Sequence, residues 1–229
     1  MPIILSIETS TPACSVAVHR DHVLLGVQEL FTEKSHSTHL AVLIKQLVEN
    51  CQLKMQDLDA VAVSKGPGSY TGLRIGVATA KGLCYGLDLP LVGINTLEAM
   101  AHQFSTIPPG IDYLCPMIDA RRMEVYCTIL GYDLKVLSDT QSVVVNEESF
   151  QEWRVRGNVL FFGNGSDKCR EILNGSSSFF VSGIAPSAKT VGLLGGKKFD
   201  EGQVEDLAYF EPFYLKEFRT TTPKSKTGI

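Results

Sequence analysis

The sequence predicts an α/β protein built from two copies of one βββαβα unit, an expectation that three features of the chain carry. Hydrophobic periodicity runs in the same order in both halves: three strand patterns, a helix, a short apolar strand and a second helix. The first strand of each half ends in an acid, Glu8 and Asp119. The fourth strand of each half runs into a Gly-x-Gly-Ser turn, Gly66-Pro67-Gly68-Ser69 and Gly163-Asn164-Gly165-Ser166.

In the first half, strands are expected over Ile3 to Ile7, Cys14 to Val18 and Val23 to Leu30, the last two joined by the polar turn Arg20-Asp21-His22. A helix follows from Ser35, where Leu40, Leu43, Ile44, Leu47 and Val48 keep the spacing of one buried face and Ser35 or Ser37 is available as a cap. Ala60 to Ser64 reads as a short buried strand, Thr71 to Tyr85 as a helix and Leu89 to Ile94 as a closing strand. The second half repeats the order with strands Tyr113 to Ile118, Glu124 to Leu130 and Val136 to Val145, a helix near Asn146 to Arg154, a strand Val159 to Phe162 and a helix from Ser166. A last helix is expected over Pro186 to Phe199, with proline in its first turn where the missing N–H does least harm. This divides the chain into lobes 1–104 and 105–215 and a polar, aperiodic tail 216–229, expected to be disordered. The tail's cations either solubilise the chain end or brush an RNA backbone.

With 229 residues and 44% hydrophobic content the chain can bury a substantial core. A net charge of −4 and a pI near 5.7 exclude a chain-wide basic surface, so any RNA contact is local or shared with a partner. The start Met1-Pro2-Ile3 lacks the pattern of a secretory leader, and no apolar run approaches the ~20 residues of a membrane span, so a cytoplasmic, soluble protein is expected. Cys14, Cys51, Cys84, Cys115, Cys127 and Cys169 form no Cys-x-x-Cys pair and read as reduced, mostly buried thiols.

Two such lobes facing one another place both acids and both turns at one cleft. Glycines let backbone N–H groups approach an anion, and an acid at each first-strand tip suits a hydrated magnesium ion. Each turn, taken singly, is equally a plain strand-to-helix connection. The cleft residues are therefore Glu8, Thr9, Ser10, Gly66, Gly68, Ser69, Asp119, Arg121, Arg122, Gly163 and Gly165. Arg121 and Arg122 read either as an exposed hairpin with weak charge pairs or as groups that meet an acidic or phosphate ligand at the cleft.

Three segments resemble a known family: Ile7-Glu8-Thr9-Ser10-Thr11 with Cys14-Ser15-Val16-Ala17-Val18, Lys65-Gly66-Pro67-Gly68-Ser69-Tyr70-Thr71-Gly72-Leu73-Arg74-Ile75-Gly76, and Met117-Ile118-Asp119-Ala120-Arg121-Arg122-Met123-Glu124-Val125-Tyr126. They resemble the bacterial TsaB (YeaZ) family of tRNA threonylcarbamoyladenosine biosynthesis proteins, and the similarity runs on to Pro212-Phe213-Tyr214-Leu215. The resemblance implies two RNase H-like lobes of the acetate kinase, sugar kinase, Hsp70 and actin superfamily. It also implies a non-catalytic paralogue of TsaD, the enzyme that installs N6-threonylcarbamoyl on adenosine 37 of tRNAs reading ANN codons. In that enzyme an Asn-His-x-x-x-His segment holds a metal; here it reads Asn95-Thr96-Leu97-Glu98-Ala99-Met100, with Thr96 and Met100 in place of the histidines. A hydroxyl and a thioether offer a divalent ion little. The implied partners are TsaD, the ATPase TsaE and, in isolation, a second copy of the chain, with tRNA reached indirectly through the complex. No cofactor is required of this chain, and ATP is the ligand the inherited fold allows, at an interface with partners. Glu8 departs from the family's usual Asp and carries its carboxylate about one methylene further out.

The helix after Gly72 carries small residues at four-residue spacing, Gly72, Gly76 and Ala80 on one face and Ala78, Gly82 and Gly86 on another. Each interior glycine costs roughly 1 kcal/mol against alanine, which close helix approach offsets. One face suits the protein's own sheet and the other a partner. With the family's helical bundle in view, the partner surface is expected on Leu40 to Val48 and Leu73 to Tyr85, through Leu40, Leu43, Ile44, Leu47, Leu73, Gly76 and Ala80, and Leu43→Asp or Ala80→Arg is the natural probe. His36 and His39, with Glu33 nearby, have metal-binding spacing but read better as a polar helix start. A small-molecule phosphotransferase of the same fold is the alternative function; it needs an aspartate general base and a competent nucleotide site, and no loop supplies an evident base beyond Asp119, an acid committed to the phosphate side. A peptidase lacks support, with neither His-Glu-x-x-His nor a Gly-x-Ser-x-Gly elbow at Ser69 or Ser166.

Overall fold

The computed structural model describes residues 1–32, 36–104 and 107–216. Ser35, Glu33 and the tail beyond Lys216, which figure in the sequence reading, lie outside them.

Strands β1 (Ile3–Glu8), β2 (Cys14–Arg20), β3 (Val23–Leu30), β4 (Ala60–Gly66) and β5 (Leu91–Asn95) form one sheet in the order β3-β2-β1-β4-β5. Strands β6 (Tyr113–Asp119), β7 (Glu124–Gly131), β8 (Val136–Val144), β9 (Val159–Phe162) and β10 (Ser178–Val181) form the other. Read from its β8 edge, the second sheet has the same order and the same antiparallel-then-parallel pairing as the first, so the duplication read from the sequence is real. β10, the counterpart of β5, has an apolar run of only three residues, Phe179-Phe180-Val181, and escaped the sequence reading; its parallel register with β9 defines it.

The helices are α1 (His36–Asn50), α2 (Tyr70–Leu87), α3 (Thr96–Ala101), α4 (Gln151–Arg156) and α5 (Ala188–Asp200). α1 and α2 cover the outer face of the first sheet, meeting Leu5, Ile7, Val16, Val18, Val61 and Val63. The inner face, with Ile4, Ala60, Ala62, Val92 and Ile94, receives Val191 of α5 and Ala99 of α3. α3 also lays Leu97, Met100 and Ala101 on the second sheet against Leu114, Ile118, Leu130, Leu160 and Phe162. Each lobe thus gives a helix to the other's inner face.

That exchange corrects the division at 104/105. By chain order α5 belongs to the second lobe, yet it packs on all five strands of the first. The segment after it returns to the first lobe as well: Glu205 bridges to Leu91, Phe210 enters the α1/α2 core, and Lys81 Nζ donates to the Ala208 and Phe210 carbonyls at 3.2 and 3.0 Å. Lys216, counted with the tail, is ion-paired to Glu124. Ser187 caps α5 by accepting from the Lys189 N–H, which places Pro186 just outside the helix.

Two helices expected in the second lobe are shortened. α4 begins at Gln151 because Asn146 closes a side-chain turn on Ser149 and Glu148. After Ser166 only a 3-10 turn, Asp167–Cys169, forms, since Ser166 spends its hydroxyl on the Gly163 carbonyl and caps nothing. All six cysteines are free, and all but the half-buried Cys51 are buried. Among the described residues no helix is long and apolar enough to cross a membrane.

Candidate functional site

The carboxyl ends of β1 and β4 and of β6 and β9 carry the predicted cleft residues. Ser69 caps α2, accepting from the Gly72 N–H at 3.3 Å, while its own N–H donates to the Ser10 carbonyl at 2.6 Å. A Cβ at Gly68 would overlap Ser10, and one at Gly72 or Gly76 would overlap Thr9. Thr9 Oγ1 donates to the Gly72 carbonyl at 2.8 Å. The glycines therefore let α2 lie directly on the loop after β1. In the second lobe the Gly165 N–H donates to the Met117 carbonyl at 3.1 Å, and a Cβ at Gly163 would overlap Met117 and Met100. At both turns a backbone donor that a phosphate cradle would offer is spent on a carbonyl of the strand-one segment.

Glu8 is fully buried, and its Oε1 accepts from the Ser10 N–H at 2.6 Å. The Ser10 and Ser64 hydroxyls face the carboxyl and ease its charge without closing to hydrogen-bond geometry, but burial outweighs them and pushes its pKa up. Asp119 is exposed; its Oδ1 accepts from the Arg121 N–H at 2.9 Å and from the Lys168 ammonium. Lys168, which the sequence reading missed, also donates to the Arg122 and Glu124 carbonyls, both at 2.7 Å. One acid is thus dry and folded back, and the other is neutralised by a lysine. This donor set does not fit a hydrated magnesium ion held between them or the nucleotide phosphates such an ion would carry. The segment after α5 crosses the same ground, with the Phe213 N–H on the Lys65 carbonyl at 2.6 Å and its own carbonyl against Gly66, where φ of +118° suits glycine.

Asn95 opens α3 as its cap, accepting from the Leu97 and Glu98 N–H groups at 2.9 and 3.3 Å, and donates to Thr140 of β8 at 2.9 Å. Thr96 and Met100 are fully buried, Met100 among the apolar side chains between the lobes. Among the described residues no three His, Cys, Asp or Glu side chains are grouped to hold a metal. His36 Nε2 lies 3.1 Å from the Ala13 carbonyl, which fixes the start of α1 to the β1–β2 loop.

The expected partner residues need the largest correction. Leu40, Leu43, Ile44, Leu47, Leu73 and Ala80 are at most 8% exposed, and Gly76 is buried against Thr9. Their periodicity marks the face turned to the protein's own sheet. The opposite faces are open: Ala78, Tyr85 and Val42 are exposed, and a Cβ at Gly82 or Gly86 would meet nothing within 4 Å.

Two facing lobes of this topology, tied by exchanged helices, define the class of actin, Hsp70 and sugar-kinase folds. The profile of the TsaD family, tRNA N6-adenosine threonylcarbamoyltransferase, matches residues 17–210. The chain is 30% identical to the tRNA threonylcarbamoyladenosine biosynthesis protein TsaB of Escherichia coli (strain K12) over 93% of its own length and 94% of that protein's. The TsaB of Bacillus subtilis (strain 168) is 28% identical with 93% coverage of both chains. The structure of YeaZ from Pseudomonas aeruginosa superposes with a TM-score of 0.79, covering 94% of this chain and all of that one at 22% identity. The chain belongs to the TsaB (YeaZ) branch of the TsaD family.

Proposed function

We propose that this chain is a non-catalytic subunit of the cytoplasmic machinery that makes N6-threonylcarbamoyladenosine in tRNA, and that it binds and stabilises the catalytic paralogue TsaD, with the ATPase TsaE as third partner. The observation that carries this reading is the division of α2 into two small-residue faces. Gly72, Gly76 and Ala80 are filled by the protein itself, whereas Ala78, Gly82 and Gly86 stand open beside the exposed Tyr85. Gly82 and Gly86 on an open helix face lower helix propensity and offer nothing to the monomer, but together with Ala78 they admit a second helix at close range. The same face serves a second copy of the chain in isolation. The cleft supports a subunit without chemistry of its own, since its turns and acids are engaged within their own lobes and the Asn95 helix cap ties one lobe to the other.

The test is product formation on an unmodified tRNA with TsaD, TsaE and a source of threonylcarbamoyl-adenylate, with and without this chain. Product that requires the chain, together with no turnover by the chain alone, is the expected result. Equal product in its absence removes the reading.

A further inference from the structure

The hairpin between β6 and β7 places Arg121 and Arg122 at successive left-handed backbone positions, with φ of 71° and 50°. That region favours glycine and asparagine, and a long charged side chain gains nothing from it. Both residues are exposed, and among the described residues neither guanidinium has a hydrogen-bond or ion-pair partner. The two acids of the hairpin are already engaged. Asp119 is bound by Lys168, and Glu124 is bound by Lys216 while it accepts the Ser142 hydroxyl at 2.5 Å. Four cations thus stand against two carboxylates on a chain whose net charge is −4.

Because each neighbouring carboxylate is held by a lysine, the arginine charge is left uncompensated and pointed outward. Residues 120–124 offer no large exposed apolar side chain of the kind that anchors a protein–protein contact. Arginine forks match phosphate oxygens, and a polyanion rewards clustered cations through counterion release. Resting on the pathway reading above, we propose that this hairpin is an RNA-backbone contact, in which Arg121 and Arg122 hold phosphates of the substrate tRNA when the chain is assembled with its partners. Such contacts position the RNA and carry no sequence information.

The experiment compares the assembled complex carrying the wild-type chain with one carrying Arg121→Asn and Arg122→Asn, by anisotropy of a labelled, unmodified tRNA between about 50 and 200 mM salt. Asparagine suits the left-handed backbone, so the variant keeps or raises its melting temperature. Its tRNA affinity is expected to fall about 3- to 10-fold, with a salt slope shallower by roughly one to two. Restoring charge with Arg121→Lys and Arg122→Lys recovers the slope. Unchanged affinity and slope in the Asn variant overturn the proposal. So does a complex that falls apart on size exclusion with both chains folded, which assigns the hairpin to an acidic protein face. A wild-type chain that is required for product while the variant binds tRNA normally removes this contact and leaves the pathway reading standing; product formed without any chain removes the pathway reading itself.

Discussion

Glu8 shows how a position that reads as chemistry becomes one of architecture. Its carboxyl is buried and its pKa is raised above 4.5, so the folded chain holds that proton more tightly than the unfolded chain does. Its contribution to stability is fully present below about pH 4.5 and is lost as pH rises through the folded value. His19 has the opposite sign: burial, with His22 and Lys189 nearby, lowers it from 6.5 to about 4, so stability is lost as pH falls through that window. Both chains of a Glu8→Gln comparison share His19, and the difference between them isolates Glu8. Glutamine keeps the Oε1 acceptor for the Ser10 N–H without the charge, and its stability advantage in urea denaturation should grow from pH 4.5 to pH 7.5. A difference that stays flat with pH would mean that the buried carboxyl is not held at a cost.

At the scale of the element, α2 separates two kinds of glycine that look alike in sequence. Gly76→Ala drives a methyl into Thr9 Oγ1, in a loop fixed by its own hydrogen bonds, and should destabilise the chain by about 1–3 kcal/mol. Gly82→Ala meets open space and should stabilise it by about 0.5–1 kcal/mol. Gly82→Arg should fold normally yet lose association with a partner or a second copy, as read by size exclusion; normal assembly by that variant would move the partner surface elsewhere. Leu43→Asp and Ala80→Arg cannot serve this purpose, because each buries a charge in the core and unfolds the chain. Apolar spacing on α1 and small-residue spacing on α2 were legible from the residues alone, but spacing reports that a face is covered and not by what. The same ambiguity governed the Gly-x-Gly-Ser turns, where only the hydrogen-bond partners distinguish a phosphate cradle from close packing.

For the whole molecule, the duplicated order was legible because each lobe repeats its punctuation, and nine of the ten strands among the described residues follow from periodicity. What periodicity does not encode is which sheet a helix chooses. α5 carries glycines where the first sheet approaches: a Cβ at Gly192 would strike His19 and Ser6, and one at Gly195 would strike Ala62. Those contacts span most of the chain length and leave no local signal. Phe210 belongs to the same long-range set, against Gly93 and the α1/α2 core. Phe210→Ala should cost about 3–5 kcal/mol, whereas Lys216→Ala, which removes a partly exposed ion pair, should change the melting temperature little. Equal effects from the two would mean that the returning segment is held by charge rather than by burial.

The exchange of α3 and α5 bears on how the chain is made. A ribosome delivers the first sheet early, but the helix that covers its inner face emerges only with residues 188–200, and Phe210 later still. Domains that are continuous in sequence fold as they emerge, N-terminal first. Here the N-terminal lobe waits with an apolar face uncovered until residues 188–200 have been made, so the nascent chain is most exposed to aggregation or chaperone capture just before that helix appears.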